Sequence, residues 1–179
     1  MKRIILICGL IAGLIVSSTM VYSMILCYRS NKFEGNMLLG YASMLLAFSM
    51  IFVGIRSYRN KYNQGVISFG KAFKIGLLIA LVASTMYVIV WLIDYYLFIP
   101  DFMDRYTTHI LDQAKSSGAT EAEMATKTKE MAMYTDMYKN PLFVILLTYA
   151  EILPVGLIVA LISALILKRK PTTSQAVTA

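Results

Sequence analysis

Two acidic residues stand inside long apolar stretches, and side-chain chemistry is most expected at these positions. Asp94 is the single charged residue of the stretch 75–99, and Glu151 is the single one of the stretch 141–167. A carboxylate at membrane depth costs several kcal/mol unless it is paired, hydrated or protonated. Three roles follow for Asp94 and Glu151: a proton or cation path, recognition of a partner, or structural hydrogen bonding.

Hydroxyl groups are the expected partners of these carboxylates, because no Lys or Arg is expected at the depth of either one. Suitable hydroxyls occur on Tyr87, Tyr95, Ser84 and Tyr149. Pro154 leaves a carbonyl of the preceding helical turn without its usual donor, which favours a small polar pocket near Glu151. The candidate intramembrane polar site comprises Asp94, Glu151, Tyr87 and Tyr149.

Four apolar stretches must position these residues, at about residues 4–28, 36–55, 75–99 and 141–167. A helix rises about 1.5 Å per residue, so roughly 20 residues cross a hydrocarbon core of about 30 Å. With 58% hydrophobic and 15% charged residues, the chain lacks the polar surface of a soluble globule. We expect an all-α, integral membrane four-helix bundle in contact with the lipid bilayer. It forms one domain over residues 1–170, followed by a disordered tail at 171–179.

Basic residues flank the apolar stretches and predict the orientation. If the N-terminus is cytoplasmic, the inner segments carry 10 basic residues and the longer outer segments carry 7. This bias predicts a multi-pass protein of the bacterial cytoplasmic (inner) membrane with both termini cytoplasmic. The net charge of +7 does not form a basic stripe with interleaved aromatics, so nucleic acid is not an expected partner.

The longest polar segment, about residues 100–140, predicts a helical hairpin outside the membrane between spans three and four. Pro100 favours a break, and residues 116–118 (Ser-Ser-Gly) favour the end of a first helix. Thr120 and Glu123 have the spacing of a capping box that begins a second helix. We expect the two arms to extend spans three and four and to pack through Met and aromatic side chains.

The link between spans two and three contains a predicted turn at residues 63–65 (Asn-Gln-Gly). The residues after this turn, 66–74, have one apolar helical face flanked by lysines. Two interpretations stay open. The segment is either a helix lying at the inner membrane interface or the first turns of a long third helix.

Small residues four positions apart predict where the helices approach closely. The helix-packing candidates lie on spans one and four: Gly9, Gly13, Gly156, Ala160 and Ala164. We expect these stripes to hold one bundle together, and the alternative is that one of them mediates a homodimer.

An enzyme is not expected, because no nucleophile and base occur with supporting partners. The single histidine, His109, stands among carboxylates of a predicted solvated helix face, so neither a metal nor another cofactor is expected.

Three segments resemble a family of bacterial membrane proteins, the domain of unknown function 4199 family. They are GYASM at 40–44, FVGIRSYR at 52–59 and especially GVISFGKAFKIG at 65–76. The resemblance extends over most of the chain and implies a four-span membrane protein. It implies no activity, substrate or site residue.

The sequence therefore favours a non-enzymatic accessory or assembly protein with a protein partner or a homo-oligomeric state. The alternative is a small oligomeric transporter or proton-coupled permeation unit that uses Glu151 and Asp94.

Overall fold

The computed structural model describes residues 1–30 and 37–170, and this part of the chain contains six α-helices. They are α1 (Lys2–Ser30), α2 (Met37–Tyr62), α3 (Phe69–Ile93), α4 (Phe102–Ser116), α5 (Glu121–Tyr138) and α6 (Pro141–Leu167). A π-helical turn, Asp94–Phe98, follows α3 directly. The prediction of an all-α protein with four membrane-spanning helices is confirmed, because α1, α2, α3 with its π-helical turn, and α6 are each long and apolar enough to cross a membrane. The predicted tail and the start of the second span at residue 36 lie outside the described residues.

One end of the bundle, which we call the basic end, holds the start of α1 and α3 and the end of α2 and α6. Near this end the first span packs closely on the third. A Cβ added to Gly9 would lie 2.6 Å from Cβ of Val82, and one added to Gly13 would lie 2.8 Å from Sδ of Met86. Both separations are shorter than a carbon or sulfur contact allows, so only glycine permits α1 to lie this close to α3.

The fourth span approaches α3 in the same way. A Cβ on Gly156 would lie 2.9 Å from Cβ of Ala80, and a Cβ on Gly76 would lie 3.0 Å from Cβ of Ala160. Ala164 is fully buried one turn further along α6. The small-residue stripes of spans one and four therefore lie inside one chain's bundle.

The link at the basic end belongs to the third helix. Gln64 and Gly65 form the predicted turn with φ of 50° and 79°. Ser68 then caps α3 by accepting a hydrogen bond from the backbone N–H of Lys71. Of the two open interpretations of segment 66–74, the structure agrees with the second, because residues 69–74 form the first turns of the long helix α3. Ile67 pairs with Arg169 across a short antiparallel bridge, which ties this link to the end of α6.

The opposite end, which we call the roof end, departs from the expected hairpin. Pro100 stops the helix because it has no N–H and its ring clashes with the preceding turn. Phe102 then packs edge-on against Trp91 with ring centroids 5.3 Å apart. In a straight helix, positions eleven residues apart are separated by about 16 Å. α4 therefore folds back over the bundle, and the prediction that it extends span three is wrong.

The second arm also lies over the bundle, because Met131 and Tyr134 of α5 line one cavity together with Tyr87 of α3. α5 begins with the predicted capping box. The Thr120 side chain accepts a hydrogen bond from the backbone N–H of Glu123, and the backbone N–H of Thr120 donates to the Glu123 carboxylate at 2.8 Å. α4 and α5 contact each other, and we call these two helices together the roof.

Candidate functional site

Two adjoining cavities lie between the spans and the roof. The first, which we call the aromatic cavity, has a volume of ≈ 510 Å³ and is lined mainly by aromatic and Met side chains. The second, which we call the polar cavity, has a volume of ≈ 670 Å³ and includes Ser, Thr, His and Gln side chains. The two cavities share Met20, Met24, Tyr87, Phe102, Tyr106 and Glu151. They form one continuous space beneath the roof.

Among the described residues, Glu151 is the acidic side chain that lines both cavities. It is exposed to this space, and the described part of the chain gives it neither a hydrogen bond nor an ion pair. Tyr87 on α3 lines the same two cavities with its ring buried. Within residues 1–30 and 37–170, no Lys or Arg lines either cavity. The carboxylate therefore faces the space beneath the roof without a Lys or Arg partner from the described residues.

Asp94 lies in a different place. It lines a third cavity of ≈ 590 Å³ together with Tyr28 and Arg29, and of the described residues this cavity shares only Met24 with the other two. Its Oδ2 is buried and has no hydrogen-bond partner among the described residues. Arg29 at the end of α1 lines the same cavity, so a cation stands near Asp94, a partner that the sequence had not indicated.

Tyr149 is separated from both carboxylates. Its hydroxyl lies 2.7 Å from Oγ1 of Thr85, and it lines none of these three cavities. Of the four predicted site residues, the structure thus brings together only Glu151 and Tyr87.

A polar cluster fastens the roof to the first span. The Tyr28 hydroxyl donates to Oδ1 of Asp101 at 2.9 Å, and Arg105 binds the other carboxylate oxygen. The Arg105 guanidinium lies 4.8 Å from the centre of the Tyr28 ring. We call Tyr28, Asp101 and Arg105 the latch. The hydrogen bond from Arg105, followed by that from Tyr28, holds the pKa of Asp101 below its usual range.

A family model described as a protein of unknown function (DUF4199) matches residues 7–169. The chain belongs to the DUF4199 family. No curated protein and no solved structure matches it.

In this DUF4199 protein the roof also contributes a neutral phenol. Burial, followed by the charges of Glu151 and Tyr95, raises the pKa of Tyr138 to about 12. Tyr138 lines the aromatic cavity, so it adds no negative charge there at neutral pH. In the described ranges, no group of three or more His, Cys, Asp or Glu side chains is arranged to hold a metal ion.

Sequence reasoning predicted a small polar pocket near Glu151 but missed the larger, mainly aromatic space beneath the roof. Tyr106, Tyr134 and Tyr138 share their helix faces with methionines, a pattern that predicts packing between two arms. In the DUF4199 structure these same rings line the aromatic cavity. Pro100 was the available signal, since a break there permits α4 to turn back toward the bundle.

Proposed function

We propose that this DUF4199 protein is a non-enzymatic, multi-pass membrane protein that binds a small molecule beneath its roof. The observation that carries the proposal is the aromatic cavity, with a volume of ≈ 510 Å³ and one carboxylate in its lining. Ligand sites are concave spaces of about 300–1,000 Å³ with mostly apolar walls and a few converging polar groups. Glu151, Tyr87 and the buried Thr148 are such groups here.

Access to this space is proposed from the roof end. The basic end is closed by backbone contacts around Gly9, Gly13 and Gly156, where even one added methyl group meets a neighbour within 3.0 Å. The roof is instead joined to α1 at the latch by the Tyr28–Asp101 hydrogen bond and the contact of Arg105 with the Tyr28 ring, and a hydrogen bond to a charged group is worth only about 1.5–3 kcal/mol. Release of the latch is therefore the low-energy route by which a ligand reaches Glu151.

The protein is further proposed to lie in a bacterial cytoplasmic membrane with the basic end facing the cytoplasm. The bias in basic residues supports this orientation. Contacts at the basic end hold these basic segments together. Arg59 donates to the carbonyl of Leu167 at 3.2 Å, and Ile67 pairs with Arg169, so the basic segments of α2, α3 and α6 are joined.

An accessory role is a second candidate and is compatible with ligand binding. The roof carries most of the polar surface near the cavity, and Met133 on α5 is 51% exposed there. A ligand that lifts the roof would change the surface that a partner protein meets. The transporter alternative receives less support, because Asp94 and Glu151 line cavities that share only Met24.

The test uses Trp91, which lines the aromatic cavity and is the single tryptophan of the chain. Protein in lipid nanodiscs is titrated with tetraphenylphosphonium, tetraphenylborate and neutral N-phenyl-1-naphthylamine, and Trp91 fluorescence is recorded. We expect saturable quenching by at least one of them. Thr148→Met places a larger side chain in the cavity lining, so it should weaken binding of the compound and thus the saturable quenching. The matched control Thr85→Met, at an exposed position outside the cavities, should not. Absence of saturable quenching by all three compounds would overturn the proposed function.

A further inference from the structure

We propose that the molecule bound in the aromatic cavity is an organic cation, such as a substituted ammonium or phosphonium group. This inference rests on the proposed function and names its ligand class. It is carried by the lining of the cavity, which combines one unpaired carboxylate with a set of aromatic faces.

The first argument is charge. Glu151 is exposed to the space beneath the roof, and neither a Lys nor an Arg of the described residues lines that space. A carboxylate inside a membrane protein is costly unless a positive partner or a proton neutralises it. A cationic ligand supplies this partner, whereas an anion would be repelled by the ionised carboxylate and a neutral molecule would require Glu151 to bind a proton instead.

The second argument is the aromatic lining. Six aromatic side chains surround the cavity: Tyr87, Trp91, Phe102, Tyr106, Tyr134 and Tyr138. The face of such a ring attracts a cation within about 6 Å of its centre, and Trp does so best. The attraction strengthens where water is excluded. Trp91 is only 8% exposed, so a ligand beside it is largely desolvated.

The third argument distinguishes an organic cation from a metal ion. Metal ions require several convergent oxygen, nitrogen or sulfur ligands at short distance. The described residues hold no cluster of three acidic, His or Cys side chains. The aromatic cavity instead has room for a bulky group at ≈ 510 Å³, and the thioethers of Met20, Met24 and Met131 adapt to irregular apolar shapes.

The decisive comparison is between two ions of equal size and opposite charge. Tetraphenylphosphonium and tetraphenylborate are titrated separately against wild-type protein in nanodiscs while Trp91 fluorescence is recorded. We expect the cation to bind at least tenfold more tightly than the anion. Glu151→Gln, which preserves shape, should remove most of that difference. The matched control Asp94→Asn should leave it unchanged, because Asp94 lines a separate cavity.

Several outcomes overturn the inference. Tighter binding of tetraphenylborate or of the neutral naphthylamine leaves ligand binding intact but contradicts the cationic class. If wild type and Glu151→Gln bind the cation with equal affinity, the cationic class is contradicted as well. If Glu151→Gln fails to fold, the ratio of the wild-type affinities for the cation and the anion still tests the inference. If none of the three compounds binds, the proposed function fails too.

A second arm separates two sources of the cation. The titration is repeated in nanodiscs of phosphatidylglycerol alone and in nanodiscs that also contain phosphatidylethanolamine. A severalfold loss of tetraphenylphosphonium affinity in the second lipid supports an ammonium headgroup as the natural occupant. Equal affinity in both lipids supports a free organic cation. A gain of affinity in phosphatidylethanolamine would contradict competition for one cation site.

Discussion

Gly156 offers a direct test of the packing that holds the bundle closed at its basic end. The smallest change is Gly156→Ala, whose new methyl group would lie 2.9 Å from Cβ of Ala80 and 3.0 Å from Cζ of Phe48. Normal contacts between carbons are about 3.5–4.0 Å. The Ala80 side chain has no rotamer that moves its Cβ, so the helices must separate by several tenths of an ångström.

The size of the effect follows from two opposing contributions. Overpacking a core costs about 1–3 kcal/mol. Replacing Gly by Ala within a helix returns about 0.5–1 kcal/mol through helix propensity. The variant should therefore be less stable than wild type by up to about 2.5 kcal/mol, and for a chain of 150–250 residues each kcal/mol lowers Tm by about 2–4 °C.

The matched control is Gly70→Ala in α3, where an added Cβ meets nothing within 4 Å. Thermal unfolding of both variants in detergent is followed by Trp91 fluorescence. We expect Gly156→Ala to melt below wild type and Gly70→Ala to melt at or above it. If the two variants have the same Tm, α6 does not pack on α3 as described, and the small-residue argument is refuted.

Three further predictions concern the two ends of the protein. Reporter fusions after Lys61 and Lys170 should report cytoplasm and one near Ser117 the outside, and a cytoplasmic signal at Ser117 would reverse the proposed orientation. Asp101→Asn should speed hydrogen exchange throughout α4 at pH 7, because it breaks the latch. Since the folded pKa of Asp101 is lowered, the wild-type latch is present above the ordinary Asp pKa of about 3.9 and is lost as pH falls through the lower folded value. If the α4 amides of the wild-type protein already lose protection from hydrogen exchange between pH 7 and 5, this reasoning is contradicted. Thr120→Ala should speed exchange in the first turn of α5, since losing an N-cap costs about 0.5–2 kcal/mol. Unchanged exchange there would mean that packing on α4 holds the helix start.

Local signals predicted the elements of this protein well. Length and apolarity predicted the four spans, and the capping residues Thr120 and Glu123 predicted the start of α5. These features depend on residues close together in the chain, so their physical causes are visible in the sequence.

The arrangement of the roof was not predictable in the same way. Pro100 shows that a helix stops, but the direction taken afterwards depends on distant contacts such as Phe102 on Trp91 and Asp101 on Tyr28. The π-helical turn at Asp94–Phe98 also had no sequence signal that we identified. The candidate site was therefore predicted in part. Glu151 and Tyr87 meet in one space, while Asp94 and Tyr149 lie elsewhere.

The position of the cavity follows from the order of side-chain sizes along the spans. Toward the basic end the facing residues are small, as at Gly9, Gly76 and Gly156, and the helices touch through backbone and methyl groups. Toward the roof end the helices enclose the two cavities, whose lining includes Met20 and Tyr87. A bundle built this way opens at one end, and an open end inside a membrane protein must be filled by lipid, solvent or chain. Here α4 and α5 cover it with aromatic rings, and Glu151 lies about one and a half helical turns from Gly156, at the boundary where close packing stops. Substituting the glycines should therefore loosen the whole bundle, whereas substituting the roof aromatics should change the cavity and leave the bundle closed at its basic end.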